Sequence, residues 1–353
     1  VLVSLRLRQL RCHEALNLDG FGPANLFLGE NGRGKSSILE AIHLLARCRS
    51  YRTAQTRELV QWGKSGLRVE AGFRGEEFER LGLEWSEGKR RFFIDGLADA
   101  TLREFWGRCA AVVFKNSDLA LVQDRPALRR QWIDGLIAQS EPAYLPLVQR
   151  LQTLLKERNA LLRAARPDRK LWEILTIQFW DVSEQITRKR EHFSERLRPH
   201  LVRALEALGR SGEDLGFDYE PDFHKHIAAD RSALYAREVK LGATQVGPQR
   251  DDWRLQLAGK PLKIFGSEGQ QRSVSLAMRF AELGLVTECR RTPPVVLIDD
   301  VLHELDEVRR EKFWSLLPET HQVFMATTRV DGTLPRDRFR MWNIAPSLAD
   351  RAG

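Results

Sequence analysis

The sequence predicts an α/β fold: a sheet built around a glycine-rich loop, an antiparallel β meander beside it, and an inserted helical lobe. Three observations carry that expectation. A short apolar run, Ala24-Asn25-Leu26-Phe27-Leu28, leads into Gly29-Glu30-Asn31-Gly32-Arg33-Gly34-Lys35-Ser36, and apolar residues then recur at Ile38, Leu39, Ile42 and Leu45, which is the order strand, glycine loop, helix. Leucines at helical spacing fill the middle of the chain. Near the end β-branched runs return, one of them closing on Asp299-Asp300.

The glycine loop fits the template G-x-x-x-x-G-K-[ST]. Its glycines let successive backbone N–H groups turn inward around phosphate oxygens, its lysine reaches the β/γ-phosphates and its hydroxyl ligates Mg²⁺. The helix behind it adds a positive N-terminus. Gly29, Asn31, Gly32, Arg33, Gly34, Lys35, Ser36 and Ser37 are therefore the candidate nucleotide contacts.

Beyond the loop, Leu67–Phe73, Arg80–Trp85 and Arg91–Gly96 alternate or cluster apolar residues between turn signals and predict the meander, and Ala110–Phe114 reads as a buried strand. The character then changes. Leu147, Leu151, Leu154, Leu155, Leu161 and Leu162 predict one helix, and Arg166-Pro167-Asp168 breaks it. Ile174, Ile177, Trp180 and Ile186 predict a second helix; Phe193, Leu197, Leu201, Leu205 and Leu208 predict a third that Gly209 stops and Pro199 interrupts. The expected division is a head of 1–118 and 240–353, with a helical lobe over 119–239. Within the returning head, Pro293–Asp300 and Gln322–Thr328 read as strands.

At 353 residues the chain exceeds one small core. Its formal net charge of +8 favours contact with polyanions, without separating nucleic acid from anionic lipid. Cys12, Cys48, Cys109 and Cys289 form no C-x-x-C pair, which suits buried thiols in a reduced, cytoplasmic protein better than a disulfide or zinc scaffold. No apolar run approaches a membrane span, and no membrane partner is expected.

A phosphate loop needs a carboxylate for its Mg²⁺ at the end of a buried strand. Asp299 follows four apolar residues and fits; Asp300 would face the attacking water as a base or positioning group. Phe265-Gly266-Ser267-Glu268-Gly269-Gln270 opens another helix with a hydroxyl, an open backbone and an amide at its start, and reads equally as an ordinary capped helix.

Taken together, the loop, the inserted helices, Ser267-Glu268-Gly269-Gln270, Asp299-Asp300 and Glu304-Leu305-Asp306 resemble the ABC-type ATPase heads of the SMC-like repair group. Further support comes from Ser50-Tyr51-Arg52-Thr53, Lys156-Glu157-Arg158-Asn159 and Gly247-Pro248-Gln249-Arg250-Asp251-Asp252, and within the group these segments resemble the RecF family of bacterial recombination proteins. The resemblance implies ATP and Mg²⁺ at the loop, with Lys35, Asp299 and Asp300 catalytic and Arg11 near the nucleotide. It also implies that Ser267, Gly269 and Gln270 form a signature that meets ATP bound to a second copy. Asp306 would lie on the same interface, and Thr327 or Thr328 would hold the switch position. The implied protein is a slow ATPase and an ATP-dependent homodimer on gapped or junction DNA, acting with RecR and RecO to load RecA. His303 and Gln249 depart from the residues usual there, Ser and His.

The basic hairpin residues Arg150, Lys156, Arg158, Arg163, Arg166, Arg169 and Lys170 are the DNA candidates, with a solvated helix face as the plain alternative. Another SMC-like repair ATPase head is the nearest alternative, although the insert is too short for long coiled-coil arms. Two other classes share the loop: a transporter's nucleotide-binding subunit, which would co-purify with a membrane partner, and a small-molecule kinase, which would transfer phosphate to an acceptor.

Overall fold

A computed structural model describes residues 1–123, 126–209, 214–226, 230–330 and 332–344. In chain order the strands are β1 (Leu2–Leu10), β2 (His13–Asp19), β3 (Ala24–Leu28), β4 (Gly66–Phe73), β5 (Arg80–Ser86), β6 (Lys89–Ile94), β7 (Leu97–Ala100), β8 (Ala111–Lys115), β9 (Leu215–Glu220), β10 (Asp252–Leu257), β11 (Lys260–Pro261), β12 (Val295–Asp299), β13 (Val323–Thr327) and β14 (Arg340–Asn343). The longer helices are α1 (Lys35–Arg47), α2 (Pro126–Ser140), α3 (Tyr144–Leu162), α4 (Arg169–Ala207), α5 (Arg231–Leu241), α6 (Glu268–Cys289) and α7 (Glu307–Leu316).

Two compact units result. The first comprises Val1–Asp118, Ala207–Gly209 and Glu282–Gly353, the second Leu119–Glu206 and Arg210–Ala281. Sequence reading puts the return to the first unit at 240, whereas packing puts it inside α6. The cause is a small antiparallel sheet, β11-β10-β9, that pairs residues on both sides of 240. It packs on the inserted helices: Trp132 of α2 lies edge-on to Phe217 at 6.2 Å, and Arg129 bonds Asp252 at 2.7 Å.

In the first unit β14-β3-β13-β12-β8 form a parallel sheet, and β2-β1-β4-β5-β6-β7 an antiparallel one. The parallel strands β3, β12 and β13 are buried almost throughout, as strands covered on both faces must be. The antiparallel strands alternate: in β1, Leu5 and Leu7 are buried while Arg6 and Arg8 are exposed. One core joins Leu5, Leu7, Val69, Leu81 and Leu83 of the meander to Ile38 and Ile42 of α1 and Leu297 and Phe324 of the parallel sheet. Held between both sheets, α1 is buried on all sides, Glu40 included. The spacing in the sequence suggested one apolar face; contact on two sides overrides it.

The second unit corrects the helical lobe. The second and third expected helices are a single 39-residue helix, α4, that continues through Pro199. Its buried stripe runs Trp172, Thr176, Phe179, Ser183, Ile186, Arg190, Phe193 and Leu197, alternating steps of four and three as in a coiled-coil seam. Ile174 and Ile177, expected to face the core, are exposed. Small polar residues occupy seam positions there, so apolar spacing alone selected the wrong face.

Cys48 and Cys109 are buried, and burial pushes both thiols up to about 12. Among the described residues no helix is long and apolar enough to cross a membrane.

Candidate nucleotide site

The parallel sheet brings four strand ends together in register: Asp299 lies opposite Ala326 and Lys115, and Thr327 opposite Leu28, from which the glycine loop departs. The carboxyl ends of parallel strands are where open α/β sheets bind ligands. Gly32 and Gly34 take φ of 81° and 80°, a left-handed conformation that is costly for any residue with a Cβ. At Gly34 the restriction is doubled, because a Cβ would meet His13 Nε2 at 2.3 Å and Cys12 Sγ at 2.5 Å. His13 Nε2–H donates to the Gly34 carbonyl at 3.1 Å, holding the loop against β2.

Lys35 folds over the loop and donates to the carbonyls of Gly29 at 2.8 Å and Glu30 at 2.7 Å. Burial lowers its pKa, against the pull of Asp300 and Asp299. The first turn of α1 has neither an acidic residue nor a side-chain cap, which keeps its positive end available to an anion.

Ser36 Oγ donates to Asp299 Oδ1 at 2.7 Å across 263 positions of sequence. Tyr51 OH donates to Asp299 Oδ2 at 2.8 Å, and Lys115 Nζ donates to the Tyr51 carbonyl at 2.8 Å. The Ser36 hydroxyl and Asp299 carboxylate form a compact all-oxygen donor pair, which fits the hard Mg²⁺ ion that usually completes its shell with water and substrate phosphates. Tyr51 and Lys115 border the candidate site, and motif spacing does not expose them; Tyr51 lies in Ser50-Tyr51-Arg52-Thr53, which supports the resemblance alone.

Asp300 stands in the left-handed region at φ 52°. Burial and the neighbouring Asp299 raise its pKa, opposed by His303 and Lys35. Its Oδ1 is buried without a hydrogen bond, 3.7 Å from His303 Nε2. That same nitrogen lies 2.8 Å from Thr327 Oγ1. Thr327 gives its own proton to the Arg329 carbonyl at 2.9 Å, so His303 Nε2–H is the donor. The departure His303 thus bridges the expected switch residue Thr327 and Asp300. Thr328, the other switch candidate, is half-buried beside it.

Arg11 forks onto Glu40, with both nitrogens 3.0 Å from the carboxylate oxygens, and donates to the Glu58 carbonyl at 2.8 Å. Glu40 is fully buried and also accepts from Ser50. In this structure Arg11 braces α1 and the 50–58 segment.

Ser267, Gly269 and Gln270, expected to form the signature, lie in the second unit. Ser267 and Gln270 cap α6 reciprocally: Ser267 N–H donates to Gln270 Oε1 at 2.9 Å, and Gln270 N–H to Ser267 Oγ at 3.2 Å, a capping box. Ser267 stays exposed, and Gly269 has no side chain to cover the helix start. Gln271 pins the approach to α6 by donating to the Gly266 carbonyl at 2.9 Å. Asp306 caps α7 through Arg309 N–H at 2.8 Å. Gln249 turns inward to the Val246 carbonyl at 3.1 Å.

One DNA candidate is corrected. Arg158 is 1% exposed, pairs with Glu238 at 2.7 Å and lies over the Trp172 and Phe179 rings. It is a core residue, placed at the α3 seam by the same period that buries Leu151, Leu154 and Leu162. Arg150, Lys156, Arg163, Arg166, Arg169 and Lys170 are exposed, although Arg169 also pairs with Glu173 at 3.2 Å.

Comparison with known proteins agrees with this architecture. A family model described as an AAA domain matches residues 4–142. A DNA replication and repair protein RecF from Synechococcus sp. (strain JA-3-3Ab) is 35% identical over 354 residues, covering 92% of this chain and 90% of that protein. RecF of Listeria welshimeri is 33% identical, covering 94% of each. The solved recombination mediator protein RecF-ATPrS of the RecFOR pathway superposes with a TM-score of 0.83 at 26% identity, over 95% of this chain and 94% of that one. An Smc head bound to a domain of ScpA shares the fold, with a TM-score of 0.53 at 13% identity. With the head-type ATPase fold, the glycine loop and the Ser36–Asp299 pair in place, this chain belongs to the RecF family of DNA replication and repair proteins.

Proposed function

We propose that the chain is an ATP-dependent DNA-binding protein of recombinational repair, which closes as a homodimer on gapped or junction DNA and reopens after slow Mg²⁺-dependent hydrolysis. The observation that carries the nucleotide part is the 2.7 Å contact between Ser36 and Asp299, with Lys35 and an uncapped helix start beside it. The RecF relative solved with an ATP-type ligand supports the same choice. Membership of the family supports action with RecO and RecR to load RecA, and a cytoplasmic location.

The chain's residues divide the work. Gly32 and Gly34 open the backbone toward phosphate, with Asn31 and Arg33 between them and Ser37 behind. Lys35 exchanges its carbonyl partners for β/γ-phosphate oxygens. Ser36 and Asp299 would hold Mg²⁺, which neutralises charge on the phosphates when bound. Asp300 positions and deprotonates the attacking water. It is one methylene shorter than Glu, which shortens its reach and slows turnover. Thr327 stands at the strand end beside it, held through His303.

Half of the site is supplied in trans. Ser267, Gly269, Gln270 and the start of α6 in one copy meet the γ-phosphate held by Lys35 of the other, so these charge-assisted bonds exist only in the closed dimer. Asp306 borders the same interface. Hydrolysis removes the shared ligand, and coupling of about 1–3 kcal/mol to DNA affinity is the usual scale. The test is molecular size by light scattering with ATP and with ADP. Wild type is expected to dimerise with ATP only. Ser267→Arg should keep nucleotide affinity and stay monomeric; a normal ATP dimer in that variant rules out the shared site.

A further inference from the structure

We propose that the outer face of the antiparallel sheet, with the turn at Trp62 on its rim, is a contact for single-stranded nucleic acid carried by the first unit alone. The proposal rests on the DNA reading above and assigns it a second surface. Trp62 is 98% exposed, although burying a large indole is normally favourable. It is held on a defined turn: Lys64 N–H donates to the Gln61 carbonyl at 3.0 Å, and Gln61 N–H to the Gln9 carbonyl of β1 at 2.8 Å. Val60 bridges Leu10, and Gly63 takes φ 78°. The backbone of the turn is thus fixed, and it presents the ring to solvent.

The strand that anchors this turn carries Arg6 and Arg8, both exposed on the face opposite buried Leu5 and Leu7. Arg8 lies opposite Arg68 of β4, and Arg6 opposite Glu70. Arg68 is engaged by Glu70 at 3.0 Å, by Glu84 at 3.6 Å and by the Phe93 ring, and Arg91 pairs with Glu84. No ion pair is formed by Arg6 or Arg8 among the described residues. Arg6, Arg8, Arg68, Arg80 and Arg91 thus share this face with Glu70 and Glu84, which are already paired, and with exposed Asp19, opposite Ser4 on the edge strand β2. At the rim Lys64 pairs with Glu14 at 3.2 Å, and Arg57 is exposed.

Residues i and i+2 of a strand lie about 7 Å apart, so Arg6 and Arg8 offer two cationic forks along one line for a phosphate backbone. A protein interface would add an apolar patch around its aromatic anchor. Here the other exposed large apolar side chain of the sheet is Leu97, on β7 at its far edge. A lone exposed indole, on a turn bonded to the strand that carries unpaired Arg6 and Arg8, matches base stacking with backbone neutralisation, which requires unpaired bases.

The test compares the affinity of the full-length chain with ATP for labelled single-stranded, blunt duplex and gapped DNA. Trp62→Ala should lose about tenfold on single-stranded and gapped DNA, the scale of one stacked base, and nothing on blunt duplex. Trp62→Phe should recover most of the loss. Arg6→Ala with Arg8→Ala should reduce the salt slope on single strands by about 1.4, or about 0.7 per phosphate contact. All three sites are on the surface, so unfolding midpoints should match wild type. Unchanged affinity in Trp62→Ala, or an equal loss on duplex, overturns the inference while the DNA reading stands; the former leaves Trp62 to a protein interface. Wild type that binds no DNA removes both.

Discussion

Asp300 combines a left-handed backbone, a buried oxygen without a hydrogen bond, and a second carboxylate next to it. Burial and Asp299 both favour its neutral form, so it takes up a proton at higher pH than the ordinary aspartate value of about 3.9. Two consequences follow. Hydrolysis should fall as pH drops through this raised pKa, while nucleotide affinity, which depends on Lys35, survives; Asp300→Asn should keep ATP binding and lose about 10²–10⁴-fold in turnover. A pH–rate profile beside equilibrium nucleotide binding checks both, and full turnover in Asp300→Asn removes it as the base. For stability the sign is opposite to that of a salt-bridged carboxylate. The native state binds the proton more tightly than the unfolded chain, so Asp300 lowers stability as pH rises from the ordinary carboxylate range through its raised pKa, and the loss persists above it. Neutral Asn at 300 should therefore raise the unfolding midpoint at neutral pH.

At the scale of elements, Arg158 ties three helices of the second unit together. From α3 it reaches Glu238 of α5 at 2.7 Å and Thr176 of α4, while Trp172 Nε1–H donates to the same Glu238 at 2.9 Å. Glu238 is fully buried, so removing the guanidinium leaves an uncompensated charge. Arg158→Ala should cost about 3–5 kcal/mol, read from urea unfolding. Replacing both partners by apolar residues of similar volume should recover much of that, since the pair itself must offset its own desolvation. If Arg158→Ala unfolds like wild type, the pair contributes nothing to the lobe. This element also shows why the sequence misled: a basic residue at a seam position has the same local sequence as a basic residue on a solvated face. Only the partner at 238 distinguishes them, 80 positions away.

For the whole molecule, the exposed basic residues Arg150, Lys156, Arg163, Arg166 and Lys170 should act additively on DNA binding through the backbone charge. Each neutralised phosphate contributes about −0.9 to the slope of log affinity against log salt on duplex DNA. Converting Lys156 and Lys170 to Ala should flatten that slope while leaving nucleotide binding intact, measured by titration at several salt concentrations. An unchanged slope assigns those lysines to a solvated face.

Local sequence was enough for the first half of the site, because phosphate binding depends on consecutive residues whose backbone the glycines set. Gly29 to Ser36, the strand before them and the helix after them were all readable in place. Asp299 was readable too, since a carboxylate closing a buried strand is also a local pattern. The rest came from the packing of distant segments. Tyr51 reaches Asp299 from a separate segment and is itself held by Lys115, and His303 reaches Thr327 across α7 and β13. Arg11 is taken up by Glu40, and α1 is buried on every side because two sheets close over it. The physical reason is the same in each case. Backbone geometry is dictated by neighbours in sequence, whereas the partner of a charged or hydroxyl group is dictated by whichever strand end the sheet brings beside it.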